Sequence, residues 1–170
     1  FYSYNGNLYA SDIVRSCIRP KTQAIGKAVA KHIRKDEVTT QVNPEVYIRF
    51  LLEEPNPYMS GQMLQEKLAN QLALNNNAFA LIERDSNGLA KAVYPINSSS
   101  VEALENNQGE IFLRFLIKSK YYTFRYSDVI HLRRDFNNND IFGESPTKAL
   151  TQLMEIVNTT DQGIVKAIKN

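Results

Sequence analysis

The chain has 170 residues, 20 basic against 18 acidic side chains for a formal charge of +2, 43% hydrophobic residues and a single cysteine. That is one ordinary globular domain, long enough to bury about 70% of the surface its unfolded form exposes, which counts against disorder and removes any need for disulfides or a structural metal. One cysteine and two histidines exclude an intramolecular disulfide and the usual Cys/His zinc sites, and no run of about 18 apolar residues offers a membrane span. The single cysteine fits a reducing compartment such as a cytoplasm, and residues 1–7 show no basic start or apolar stretch of a signal peptide. The chain begins without methionine and ends within a helical pattern, and is read as a piece of a longer protein.

In chain order, Ser11 is a plausible N-cap. After it, Val14, Cys17, Ile18, Ala24, Ile25, Ala28, Val29 and Ile33 follow a period near 3.6, the mark of an amphipathic helix. Pro20 removes a backbone donor and predicts a kink or a restart there. The polar side carries Arg15, Arg19, Lys21, Lys27, Lys31, Arg34 and Lys35 and reads as a solvated face, with an anionic partner as the alternative. A turn-rich stretch at 53–58 precedes a second helix over 60–74, whose Leu64, Leu68 and Leu72 form a core stripe. The period then switches to two. Strands are predicted at 78–84 and 89–94 around a turn at 85–88, then at 110–118, 121–126 and 128–134, with turns at 106–109 and near Ser119. Ser145 then offers an N-cap with Pro146 at the first helical position of a last helix. Its apolar positions Leu150, Leu153, Val157, Ile164 and Ala167 keep a 3–4 spacing if Thr160 is counted. The fold class is α+β: an antiparallel sheet or hairpins flanked by amphipathic helices, ending in a long helix.

A search for chemistry finds little. There is no glycine-rich phosphate loop and no Gly-x-Ser-x-Gly among the seven glycines. Glu83, Asp85, Asp128, Asp135, Asp140 and Glu144 are the acids a metal-dependent nuclease would draw on, but Asp85 suits a turn, Asp128 a strand start and Asp140 a polar loop. His131 reads as a hydrogen-bonded sheet histidine rather than a base, and Cys17 as a small buried hydrophobe. Phe112, Arg114, Phe115, Lys118, Lys120, Tyr121, Tyr122, Phe124, Arg125 and Tyr126 raise a single-strand nucleic-acid module, although strand alternation sends about half of those rings into a core. With a summed charge near zero, tight and salt-sensitive DNA binding is not expected.

The order of short motifs says more than any one of them. Val14-Arg15-Ser16-Cys17-Ile18 comes first, followed by Asn56-Pro57-Tyr58 and by the stretch 74–85 containing Asn77-Ala78-Phe79 and Arg84-Asp85 with Gly88. Val93-Tyr94-Pro95-Ile96 with Val101, Asp128-Val129-Ile130-His131-Leu132-Arg133, and Gly143-Glu144-Ser145-Pro146 complete the series. Together, over about residues 12–155, they resemble the portal (head-to-tail connector) proteins of long-tailed bacteriophages. Asn76 stands where that family usually has glycine, which calls for a left-handed or tight backbone that asparagine also adopts.

The resemblance implies a portal wing-like α+β domain over 1–145 and, over 146–170, a helix leading toward the stem, with the clip, most of the stem and the crown absent. Its motif positions, Cys17, Asn77, Ala78, Phe79, Arg84, Asp85, Gly88, Pro95, His131, Gly143, Ser145 and Pro146, are then structural. Arg15, Arg19, Lys27, Lys148, Gln152, Glu155 and Lys166 are candidates for a subunit interface. It further implies a structural subunit, not an enzyme, with no cofactor, that closes with copies of itself into a ring, generally dodecameric, at one capsid vertex. Its other partners would be the terminase large subunit, capsid or scaffold and tail-connector proteins, and double-stranded DNA in transient contact during packaging and ejection. No membrane is involved. It would reside in the virion and, during assembly, in the host bacterial cytoplasm. A metal-dependent nuclease and a nucleic-acid-binding module remain the alternatives.

Overall fold

A computed structural model describes residues 2–3, 10–135, 137 and 140–169. Helix α1 (Asp12–Gly26) starts where the Ser11 hydroxyl accepts from the Val14 amide at 3.5 Å, and it runs through Pro20 without restarting. It stops at Gly26, shorter than the periodicity of the sequence predicts. The apolar pattern continues to Ile33, but that residue opens strand β2 (Ile33–Lys35), which pairs with β3 (Thr40–Val42). Asp36 makes the turn between them: its carboxylate accepts from the Val38 and Thr39 amides at 2.9 and 2.6 Å. These bonds favour the ionised form and hold the Asp36 carboxyl below its ordinary value, the Thr39 amide contributing most. Helix α2 (Val46–Glu53), which the sequence reading passes over, has no side-chain cap and no buried residue.

Helix α3 (Gly61–Asn75) lies where the leucine stripe places it, capped by Ser60. Strand β4 (Asn77–Arg84) follows at once and pairs with β5 (Ala90–Pro95) across the predicted turn. Strand β6 (Ser100–Glu105) is a further unpredicted element. It pairs with β7 (Ile111–Ile117), which pairs with β8 (Lys120–Arg125). The two-residue β1 (Tyr2–Ser3) adds to the outer side of β6.

The antiparallel hairpins expected from the sequence are arranged as three sheets, ordered β1-β6-β7-β8, β5-β4-β9 and β2-β3, all antiparallel. A 3-10 turn at Tyr126–Asp128 redirects the chain, so Asp128 belongs to that turn, and β9 (Val129–Arg133) crosses to pair with β4 rather than β8.

Strand β4 is the centre of its sheet, and its residues explain the layering. Ala78 and Ala80, both fully buried, face α3 with Leu68, Leu64 and Leu72. Phe79 points the other way, into a core shared with Val101, Leu113, Phe115 and Val129 from both larger sheets and with Phe142 from the segment before α4. Small residues let the helix approach and the phenylalanine fills the space between sheets, an alternation of period two read on both faces. Helix α4 (Thr147–Lys169) joins through a third cluster, where Leu150 and Met154 meet Val14, Ile18 and Leu74. The Leu150 amide donates to the Pro146 carbonyl at 3.0 Å, so Pro146 stands one residue before the helix rather than at its first position.

Candidate functional site

Three asparagines between α3 and β4 gather the chain. Asn76 ends α3 in the left-handed region, φ 54° and ψ 11°, the conformation its replacement of a glycine demands. Its side chain is buried and fully engaged. The carbonyl accepts from Arg134 Nε and Nη2 at 3.1 and 2.9 Å, and the amide donates to Asp135 at 3.1 Å and to the Glu144 carbonyl at 2.7 Å. Asn77 repeats the arrangement one residue on. Its amide donates to the Gly143 and Asn75 carbonyls at 2.7 and 3.1 Å, and its carbonyl accepts from the Gly143 amide at 2.8 Å. Gly143 sits so close that a Cβ would come within 2.2 Å of the Arg134 carbonyl and 2.4 Å of that of Asn76. Only glycine fits there. The end of α3, the end of β9 and the segment entering α4 are thereby tied into one polar knot.

His131 completes it from β9. Because the Asn77 amide nitrogen is spent on two carbonyls, its oxygen faces His131 Nε2 at 3.0 Å, and that nitrogen must be the protonated donor. Nδ1 then accepts from the Tyr126 hydroxyl at 3.1 Å. The ring stacks on Phe79 with centroids 4.4 Å apart and lies beside Phe142. Burial, with the Arg133 guanidinium adding to it, lowers its pKa to about 4. It is thus a neutral imidazole with both nitrogens occupied, which leaves none to take a proton from a substrate.

The other singled-out residues lie apart from this knot. Arg84 donates to Asp128, the Gly88 carbonyl and the Ser127 carbonyl at 2.8, 3.1 and 3.3 Å, clamping the β4–β5 turn to the 3-10 turn. Asp85 builds that turn by accepting from the Asn87 and Leu89 amides, and Gly88 supplies its φ of +81°. Pro95 is half-buried opposite Ala80 at the end of β5. Cys17 is exposed, not buried as the helical pattern suggested, because the α1 face that packs is the one carrying Val14 and Thr22. Of the interface candidates, Arg19, Lys27, Gln152, Glu155 and Lys166 are exposed and Arg15 pairs with Asp12. The Lys148 side chain falls outside the described residues.

The acids do not form one cluster: Glu83 faces Lys91 and Asp128 faces Arg84, while Asp135 lies by Arg134 at the knot, its carbonyl accepting from the Glu144 amide at 2.8 Å. Among the described residues, no group of three His, Cys, Asp or Glu side chains is placed to hold a metal ion. Of the aromatic strands, Phe115 is core and Phe124 and Tyr126 pack against it. Tyr121 and Tyr122 are exposed, with Arg114 stacked over Tyr121 and paired to Glu102. Among the described residues, no helix is long and apolar enough to cross a membrane. Sequence reasoning missed Arg134, Asn75 and Tyr126 as parts of the knot. The signal was present in the run of asparagines facing an arginine pair, but its meaning depends on β9 pairing with β4.

The sequence model of the family described as phage portal protein matches residues 12–170. The chain belongs to the phage portal protein family. A curated relative, the portal protein of Enterobacteria phage HK97, is 30% identical over 98 residues, 58% of this chain and 23% of the relative, so the chain spans well under half of it. Among solved structures, the neck of an empty gene transfer agent particle computed with C6 symmetry aligns with a TM-score of 0.77 at 16% identity, over 96% of this chain and 44% of that one. The virion of a native gene transfer agent particle gives 0.73 at 15% identity, over 96% and 43%. An HK97 family phage portal protein from Corynebacterium diphtheriae gives 0.50 at 14% identity, over 92% and 50%. At these identities the structures show a shared portal fold.

Proposed function

We propose that this chain serves as a structural portion of a portal subunit, one of the copies that close into a ring at a single capsid vertex. The family match over 12–170 carries this reading. In it, residues 1–145 act as the wing and residues 146–170 as the helix leading toward the stem, with the asparagine knot as the joint that fixes one against the other. The motif residues support it, since those described in detail serve packing or backbone geometry: Ala78 and Phe79 in the core, Gly143 in a close contact, Asp85 and Gly88 in a turn, and His131 bonded to Asn77. The ring would pass double-stranded DNA, dock the terminase large subunit on one side, and meet scaffold and tail-connector proteins elsewhere. It would assemble in the bacterial cytoplasm and remain in the virion.

Negative-stain electron microscopy and native mass of the full-length protein test this. Rings with a central hole are expected, of the order suggested by the C12 symmetry imposed on a related gene transfer agent neck. A stable monomer or dimer under every salt condition would overturn the reading. Magnesium-dependent plasmid cleavage abolished by Asp135→Ala would instead favour a nuclease, and none is expected.

A further inference from the structure

Two surfaces of the described residues are apolar and exposed, and their chemistries match. The first is a groove of about 180 Å³ between α1, α3 and β9, floored by Ile25, Leu68, Leu72, Ala73 and Leu132. Lys21 stands at its rim and makes no ion pair among the described residues. The second is the outward face of α4. After Leu150 and Met154 have packed on Val14 and Leu74, the helix continues with Leu153 60% exposed, Ile156 65%, Ile164 52% and Ile168 78%. Leu153, Ile156, Thr160 and Ile164 recur at helical spacing, so they form one stripe rather than scattered contacts. Glu155 lies beside it, exposed and likewise without an ion pair among the described residues.

We infer that the groove between α1 and α3 receives the Leu153–Ile156 turn of α4 from a second copy of this chain, with Glu155 of that copy reaching Lys21 at the rim. This rests on the ring reading above and names the contact that would close it. Donor and acceptor are different surfaces of one molecule, so the contact is heterologous: each copy gives its α4 to one neighbour and its groove to the other. Such an interface closes a ring when its rotation divides the circle, and a two-fold dimer would need a self-complementary patch instead. The stripe runs about 20 Å along the helix from Leu153 to Ile168, long enough to seat one turn in the groove. The unpaired acid and base give the contact its register.

The test is cysteine cross-linking in the full-length protein on a Cys17→Ser background. Ile156→Cys combined with Ala73→Cys should give a ladder of cross-linked species climbing toward the ring number, while either substitution alone gives monomer on a denaturing gel. In parallel, Lys21→Glu and Glu155→Lys should each weaken assembly about tenfold, and the two together should restore it. Rings by microscopy with no ladder and no effect of the reversals would overturn the contact while leaving the ring reading intact. Dimers from Ile156→Cys alone would overturn it in favour of helix-on-helix pairing. Absence of any ring would overturn both.

Discussion

Gly143 shows how much a single missing methyl can matter. The atoms that a Cβ would strike are backbone carbonyls of Arg134 and Asn76, themselves held by the β9 strand end and the α3 cap, and neither can swing aside as a side chain would. Gly143→Ala should therefore cost at least the upper end of the about 1–3 kcal/mol typical of overpacking, read as a lower urea midpoint at unchanged slope. An unchanged midpoint would mean the segment 143–144 is free to move. His131 gives the pH counterpart. Its folded pKa of about 4 lies below the usual 6.5, so on acidification the unfolded chain takes up the proton first. The contribution of His131 is complete above pH 6.5 and drains away as the pH falls toward 4. His131→Phe keeps a ring against Phe79 and leaves Asn77 its bond from the Gly143 amide. Its stability should therefore lose less than the wild type between pH 6.5 and 4, and parallel curves for the two proteins would refute the assignment.

At the scale of elements, the α3–β4 junction sets two effects against each other. Asn76→Gly relieves a left-handed backbone, a gain of about 1 kcal/mol, but removes four hydrogen bonds to Arg134, Asp135 and Glu144 at about 0.5–1.5 kcal/mol each. The bonds win, so the variant should be less stable, with faster amide exchange through 144–150 where α4 is anchored. Faster exchange confined to α3 would contradict this.

The elements legible in the sequence were those whose pattern agreed with their packing: the α3 stripe, the β4–β5 hairpin with its Asp85–Gly88 turn, the β7 and β8 strands. Elements with no burial left no pattern. Both strands of the β2–β3 hairpin are exposed throughout, and Ile33 happened to extend the helical period of α1. Strand β6, Ser-Val-Glu-Ala-Leu-Glu, is built of residues that suit a helix as well. The left-handed Asn76 could be read from its place in the motif, whereas the knot around it could not. Arg134, Gly143 and Asn76 meet only because β9 leaves β8 for β4, a pairing that hairpin order alone does not give.

For the whole molecule, the decisive quantity is the charge left over after pairing. Among the described residues at least seven of the twenty cations stand in ion pairs, and the chain carries a net +2. A surface that gripped a duplex would neutralise six to ten phosphates and lose about a thousandfold or more in affinity between 50 and 200 mM salt. A ring of the kind proposed above would have to do the opposite, since each phosphate held firmly is a barrier to the next step of a passing duplex. With the remaining cations almost balanced by acids over the chain, duplex binding should be weak and fall about tenfold or less over the same range, the slope expected for one or two phosphates neutralised. Titrating a short duplex by fluorescence anisotropy at the two salt concentrations measures that slope directly. A thousandfold loss would show that cations such as Lys118, Lys120 and Arg125 converge on the duplex, and it would count against the proposed passage of DNA.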